Sequence, residues 1–310
     1  MSSMTLNTPK EITEQVFTIT AADGYTLAAT RYEAIHPIAN IIVAGATGVP
    51  QAFYRKFAKF AAQRGYSTVT FDYRGIGRSK PRSLKGFDAS FLDWAQLDLA
   101  AVVDAVASQS SQTFMVGHSF AGHAFGLLPN HHKIAKFYTF ATGAGWHGHM
   151  PRLEAIRVKT MWNVVLPALT YWKGYTPMSM LGMGEDLPFG VYAQWKHWCQ
   201  FRHYFFDDPA MVRLKEQFAA VRTPIIAANA IDDLWATPQS RDAFFKAYRN
   251  APVTQIDIPL SQSLPAIGHM GYFRADAVPL WDDVLHCFGQ SLESSSDLPQ
   301  LEQTQNQRTA

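Results

Sequence analysis

The chain has 310 residues, 47% of them hydrophobic and 17% charged, with a formal net charge of +2 at pH 7. That length and apolar content suffice for a large buried core, as one α/β domain with an insertion or as two domains. The near-neutral balance, with no basic run, disfavours a nucleic-acid partner, and the two cysteines, Cys199 and Cys287, fit neither a disulfide framework nor a metal-ligand spacing.

In chain order, residues 1–10 are polar and lack the apolar core of a secretory signal. Residues 1–12 are expected to be a flexible N-terminus. Residues 16–20 and 26–32 read as an opening pair of strands about the turn Asp23-Gly24. Residues 40–44 are a short buried strand, and 52–64 have helical spacing (Phe53, Phe57, Phe60, Ala61) that stops before Gly65. A strand over 67–73, a long amphipathic helix over 91–107 and a Ser/Gln loop come next.

The next strand, Phe114-Met115-Val116, runs into Gly117-His118-Ser119-Phe120-Ala121-Gly122 and a helix-compatible stretch to Leu128. This is strand, sharp turn, helix, with a serine at the apex and small residues where a strained turn needs them. Alanine at 121 stands where the elbow pattern prefers glycine. A further strand spans 136–141.

The alternation then stops. Residues 143–208 show no clear strand and hold five of the eight tryptophans and five of the ten methionines. Strands at 224–230 and 253–258 and helices at 239–249 and 277–288 restore it. Residues 291–310 are Ser/Gln-rich and are expected to be a disordered tail. Alternating strands and helices imply a mostly parallel sheet covered on both faces, with ligands at the strands' carboxyl ends. The expected division is a core of 13–142 and 209–290, with 143–208 as a helical lid rich in aromatics and methionine.

A serine hydroxyl is a weak nucleophile until a base takes its proton and an acid orients that base. The strand 224–230 ends in Ile231-Asp232-Asp233-Leu234-Trp235, and the loop after 253–258 contains Gly268-His269-Met270-Gly271. Ser119, Asp233 and His269 therefore occur in that order, each in the turn or loop after a strand. Asp233 is favoured as the acid because a small residue and a proline turn come after it, with Asp232 as the alternative. The oxyanion formed on attack needs backbone donors. Phe120 offers one, immediately after the serine. The loop Gly45-Ala46-Thr47-Gly48 offers the other, at Ala46 first and Thr47 next. Thr47, His118, Trp146, Trp235 and Met270 are placed at the substrate pocket. The paired histidines His131-His132 and His147-Gly148-His149 lack Cys, Asp or Glu partners at ligand spacing, so no metal and no cofactor is expected. The longest strongly apolar stretch, 161–172, contains Asn163 and Pro167 and falls short of the roughly 20 residues that cross a bilayer. A cytoplasmic protein without stable membrane insertion is expected; nothing in the sequence sets its oligomeric state.

With these residues in place, the chain resembles the α/β-hydrolase superfamily over residues 14–289. Asp72-Tyr73-Arg74-Gly75-Ile76-Gly77-Arg78-Ser79 is similar to that superfamily's Asp-x-Arg-Gly-x-Gly-x-Ser loop. Asp232-Asp233-Leu234-Trp235-Ala236-Thr237, Gly268-His269-Met270-Gly271-Tyr272-Phe273-Arg274 and Gln194-Trp195-Lys196-His197-Trp198-Cys199 resemble a bacterial group described only as α/β-hydrolases of undefined substrate. The resemblance implies the α/β-hydrolase fold and a serine hydrolase using the order Ser, Asp, His. The apolar insertion favours an ester or thioester with an apolar acyl or aryl group as substrate. The competing expectations are an acyltransferase on the same residues and a non-catalytic ligand-binding protein.

Overall fold

The computed structural model describes residues 12–107 and 110–306, with 295–306 as backbone alone. The expected flexible N-terminus lies outside these residues except for Ile12. The strands are β1 (Thr13–Thr20), β2 (Thr26–Glu33), β3 (Ala39–Ala44), β4 (Tyr66–Phe71), β5 (Thr113–His118), β6 (Lys136–Phe140), β7 (Ile225–Ala230) and β8 (Val253–Ile258). They form one sheet in the order β1-β2-β4-β3-β5-β6-β7-β8. β1 pairs with β2 and β2 with β4 in antiparallel register; every other pairing is parallel.

The central strands are buried along their whole length, so they read as continuous apolar runs. Successive side chains still part to opposite faces. Ile42, Val69, Met115 and Phe137 enter one core; Ile41, Val43, Phe114 and Val116 enter the other. Helix α1 (Arg55–Ala62) puts Phe57 and Phe60 into the second core. Helix α2 runs over 91–106 with a π-helical middle, Trp94–Leu99, and fills the first. Helix α3 (Phe120–Phe125) comes after β5 with no spacer beyond Ser119.

Between β6 and β7 the chain leaves the sheet. Helix α4 is a continuous run over 152–173, with a π-helical turn, Met161–Val165, in its middle. Pro167 explains that turn. It has no N–H to give the carbonyl four residues back, and its ring would strike that carbonyl, so the helix widens just upstream. Helix α5 (Phe189–Trp198) completes the insertion, and helix α6 (Leu214–Ala220) precedes β7. Val158, Trp162, Leu166, Val191 and Trp198 join the same core as the sheet, so the insertion does not fold around a core of its own.

Helix α7 (Pro238–Phe245) lies between β7 and β8, and helix α8 (Val278–Asn306) closes the fold. This last helix runs into the segment expected as a disordered tail, as far as Asn306. Trp281, Val284, Leu285 and Phe288 anchor it in the core at helical spacing. Among the described residues no helix is long and apolar enough to cross a membrane.

Candidate active site

Ser119 sits at the carboxyl end of β5 with φ 53° and ψ −103°, a backbone conformation that non-glycine residues avoid. The turn is pinned from both sides. The Ser119 N–H donates to the Phe140 carbonyl at 2.8 Å, and its own carbonyl accepts from Thr142 Oγ1 at 2.9 Å. The small neighbours are required by space. A Cβ on Gly117 would lie 2.7 Å from the Phe137 ring, and one on Gly122 would lie 2.2 Å from Thr142 Oγ1. Ala121, the departure from glycine, is fully buried and belongs to the first core.

The three residues singled out on separate loops meet here. His269 Nε2 lies 3.0 Å from Ser119 Oγ, and His269 Nδ1 lies 2.9 Å from Asp233 Oδ2. Asp233 is fully buried, which pushes its carboxyl pKa up. The His269 imidazole and the N–H groups of Ala236 and Trp235 outweigh that burial and leave it below the ordinary carboxylate value. Asp232 points elsewhere. Its two oxygens accept from the Ile267 and Gly268 N–H groups at 2.9 and 3.0 Å, so it fastens the loop that carries His269.

The oxyanion assignment needs one correction. The Ala46 N–H donates to the Tyr54 hydroxyl at 2.8 Å and is not available to a substrate. Thr47, the second candidate, lines the cavity, and among the described residues no group accepts from its N–H. Phe120 occupies the first position of α3, where N–H groups have no partner within the helix.

Tyr54 was not singled out from the sequence, because it lies among Phe53, Phe57 and Phe60 on what reads as an apolar helix face. Its hydroxyl also meets His118 Nδ1 at 2.9 Å, and His118 Nε2 meets the His269 carbonyl at 2.8 Å. The two contacts define one tautomer. Tyr54 O–H donates to Nδ1, and Nε2–H donates to the His269 carbonyl. Burial pushes the His118 pKa down to about 3, so the ring stays neutral in this role. His118 is therefore beneath the floor of the site, not in the pocket where it was expected.

The cavity over Ser119 measures about 780 Å³. Thr47, Met161, Met183, Trp195, Trp235 and Met270 are among its walls. Trp235 is held by its indole N–H donating to Glu154 at 2.6 Å. A narrow recess of about 40 Å³ leads from Ser119 and His269 towards His123, Met150 and Cys199. Trp146 lines neither space; its ring packs edge-on against His149 at 5.1 Å.

A sequence profile of the alpha/beta hydrolase family matches residues 41–278. The chain belongs to that family, and it is a hydrolase. No curated protein matches it in sequence. Among solved structures it is similar to a soluble variant of monoglyceride lipase from Saccharomyces cerevisiae, in complex with a substrate analog. The identity is 15%, the TM-score 0.64, and the match covers 93% of this chain and 98% of that one. It is also similar to the esterase domain of a Rhodothermus marinus protein, with 17% identity, a TM-score of 0.54, and coverage of 88% and 96%. A third is an esterase from Pyrococcus furiosus, with 14% identity, a TM-score of 0.55, and coverage of 93% of both chains. At these identities the likeness is one of fold.

Proposed function

We propose that this hydrolase cleaves carboxylic esters or thioesters bearing an apolar acyl or aryl group, through an acyl-serine intermediate on Ser119. One observation above the others supports the reading. A serine at a strained apex is bonded to an imidazole, which is bonded to a buried carboxylate, on the floor of a mainly apolar cavity. The esterases and the monoglyceride lipase among the structural neighbours agree with an ester substrate.

Ser119 Oγ adds to the carbonyl carbon as its proton passes to His269 Nε2. Asp233 holds the imidazolium that forms. The carbonyl oxygen becomes an oxyanion, which the N–H groups of Phe120 and Thr47 receive. Collapse expels the alkoxide or thiolate, and His269 returns a proton to it. Water then repeats the addition with His269 as base. The second collapse releases the carboxylic acid and restores the proton to Ser119. None of these steps calls for a cofactor or metal. The two free cysteines suit a reducing compartment, and this reading places the enzyme in the cytoplasm.

The test is a series of p-nitrophenyl esters of graded chain length with wild type and Ser119→Ala. The variant should lose at least about a thousandfold in kcat/KM and all labelling by a fluorophosphonate. Wild-type turnover by the variant would sink the assignment. Adding an alcohol or thiol acceptor measures how the acyl-enzyme divides between hydrolysis and transfer. A folded wild type that neither turns over nor labels would favour the ligand-binding reading.

A further inference from the structure

Helix α4 carries two apolar stripes. Glu154, Val158, Trp162, Leu166 and Thr170 recur every four residues and are buried against the rest of the molecule. On the opposite side Leu153, Ile156, Val164, Tyr171 and Trp172 are 84%, 62%, 61%, 94% and 69% exposed. A helix facing bulk water carries polar residues on that side. Here Thr160 and Asn163 are the only uncharged polar residues exposed on it. Leu181, which lines the cavity together with Thr160 and Met161 of this helix, is also exposed, as is its neighbour Met180.

The exposed charges on this helix are all positive. Arg152, Arg157, Lys159 and Lys173 face a single acid, Glu154, which is buried and held by the Trp235 indole and by Arg157. Among the described residues no acidic group pairs with Arg152 or Lys159. Lys173 lies over the Trp172 ring at 4.4 Å, so a cation and an amphipathic aromatic stand together at the helix end.

We propose that this face of α4 docks reversibly on an anionic lipid surface. Leu153, Ile156 and Val164 enter the boundary between headgroups and acyl chains. Tyr171 and Trp172 sit at headgroup level, and the basic side chains meet lipid phosphates. A second copy of the chain is the poorer occupant, because a two-fold contact would set the same positive face against itself. Arg157, Thr160, Met161 and Val165 of this helix also line the cavity over Ser119. Docking would therefore turn the mouth of the cavity to the lipid, and an apolar ester would reach it without crossing water. That last consequence rests on the proposed esterase reading; the docking itself does not.

The experiment is flotation of the full chain with phosphatidylcholine vesicles, with and without a minority of phosphatidylglycerol. The anionic vesicles should carry at least about fivefold more protein, and added salt should release it. Ile156→Glu with Val164→Glu should abolish flotation. Ile35→Glu with Ile38→Glu, two exposed apolar positions in the loop before β3, should not. Arg152→Glu with Lys159→Glu, on residues outside the packed stripe, should lose the anionic preference even if the first pair perturbs folding. Hydrolysis of a water-soluble short ester without vesicles should be equal in all of them. Ser119→Ala should float like wild type, which separates this result from the fate of the esterase reading. Three outcomes overturn the proposal. They are no flotation by folded wild type, flotation unaffected by the α4 variants, and a dimer or acidic-protein complex that those variants dissociate while lipid binding persists.

Discussion

Asp232 and Asp233 are adjacent, identical in chemistry and separate in task. Asp233 reaches His269, while Asp232 holds two N–H groups of the loop beneath it. Asp233→Asn should lower kcat by about ten-thousandfold, because the amide favours the wrong imidazole tautomer. Asp232→Ala should instead cost about 1 kcal/mol for each lost hydrogen bond, read as a lower melting temperature, with at most about tenfold in kcat. Equal kinetic losses in the two variants would contradict the division. The order of Ser119, Asp233 and His269 along the chain was legible because each lies in the turn or loop after a strand, and parallel strands deliver their carboxyl-end loops to one edge. The commitment of the Ala46 N–H to Tyr54 was not legible. It depends on a hydroxyl eight residues away whose neighbours read as core.

At the scale of elements, the junction of β5, Ser119 and α3 carries the most constraint. Thr142, just beyond β6, is fully buried and already bonds the Ser119 carbonyl and Thr139, so it cannot withdraw from a new side chain at 122. Gly122→Ala should therefore destabilise the fold by about 1–3 kcal/mol and reduce activity in proportion to the displaced Ser119. Thermal melts and kcat/KM of the purified variant check it; an unchanged pair would show that the elbow yields more than its contacts suggest. The periodicity of α1 and of α2 gave their buried faces, but not the π-helical turns in α2 and α4. Only the one in α4 has a visible local cause, Pro167. Helix α8 is anchored at Trp281 and Phe288 and runs on beyond them into the segment whose polar composition reads as a tail.

The whole molecule has a pH dependence written in its buried histidines. Burial takes the His118 pKa from 6.5 down to about 3 and that of His123 to about 4. Both are charged more readily when unfolded, so the stability they allow is complete above pH 6.5 and falls as pH drops towards the folded values. At pH 5 each removes about 2 kcal/mol relative to neutral pH. His131, His147 and His149 shift the same way through burial. Burial of Asp98, whose pKa is raised to about 7, acts in the opposite sense over the same interval. The histidine contribution is therefore read from unfolding in denaturant at pH 7 and pH 5 for wild type and His123→Gln: the variant should lose less stability on acidification, and an equal change in both would contradict the burial of that ring as a neutral species.

The sequence alone determined the alternation of strands and helices, the serine apex and the positions of its two partners. These are local signals: period, turn chemistry and the residues at a strand's carboxyl end. Only the tertiary structure decided which aspartate meets the imidazole, which N–H of the 45–48 loop is left open, and that the insertion shares the main core. It also decided which side of α4 faces outward. Each of these is a contact between residues distant in the chain, and a single helix with apolar residues on two sides does not declare which one the fold will cover.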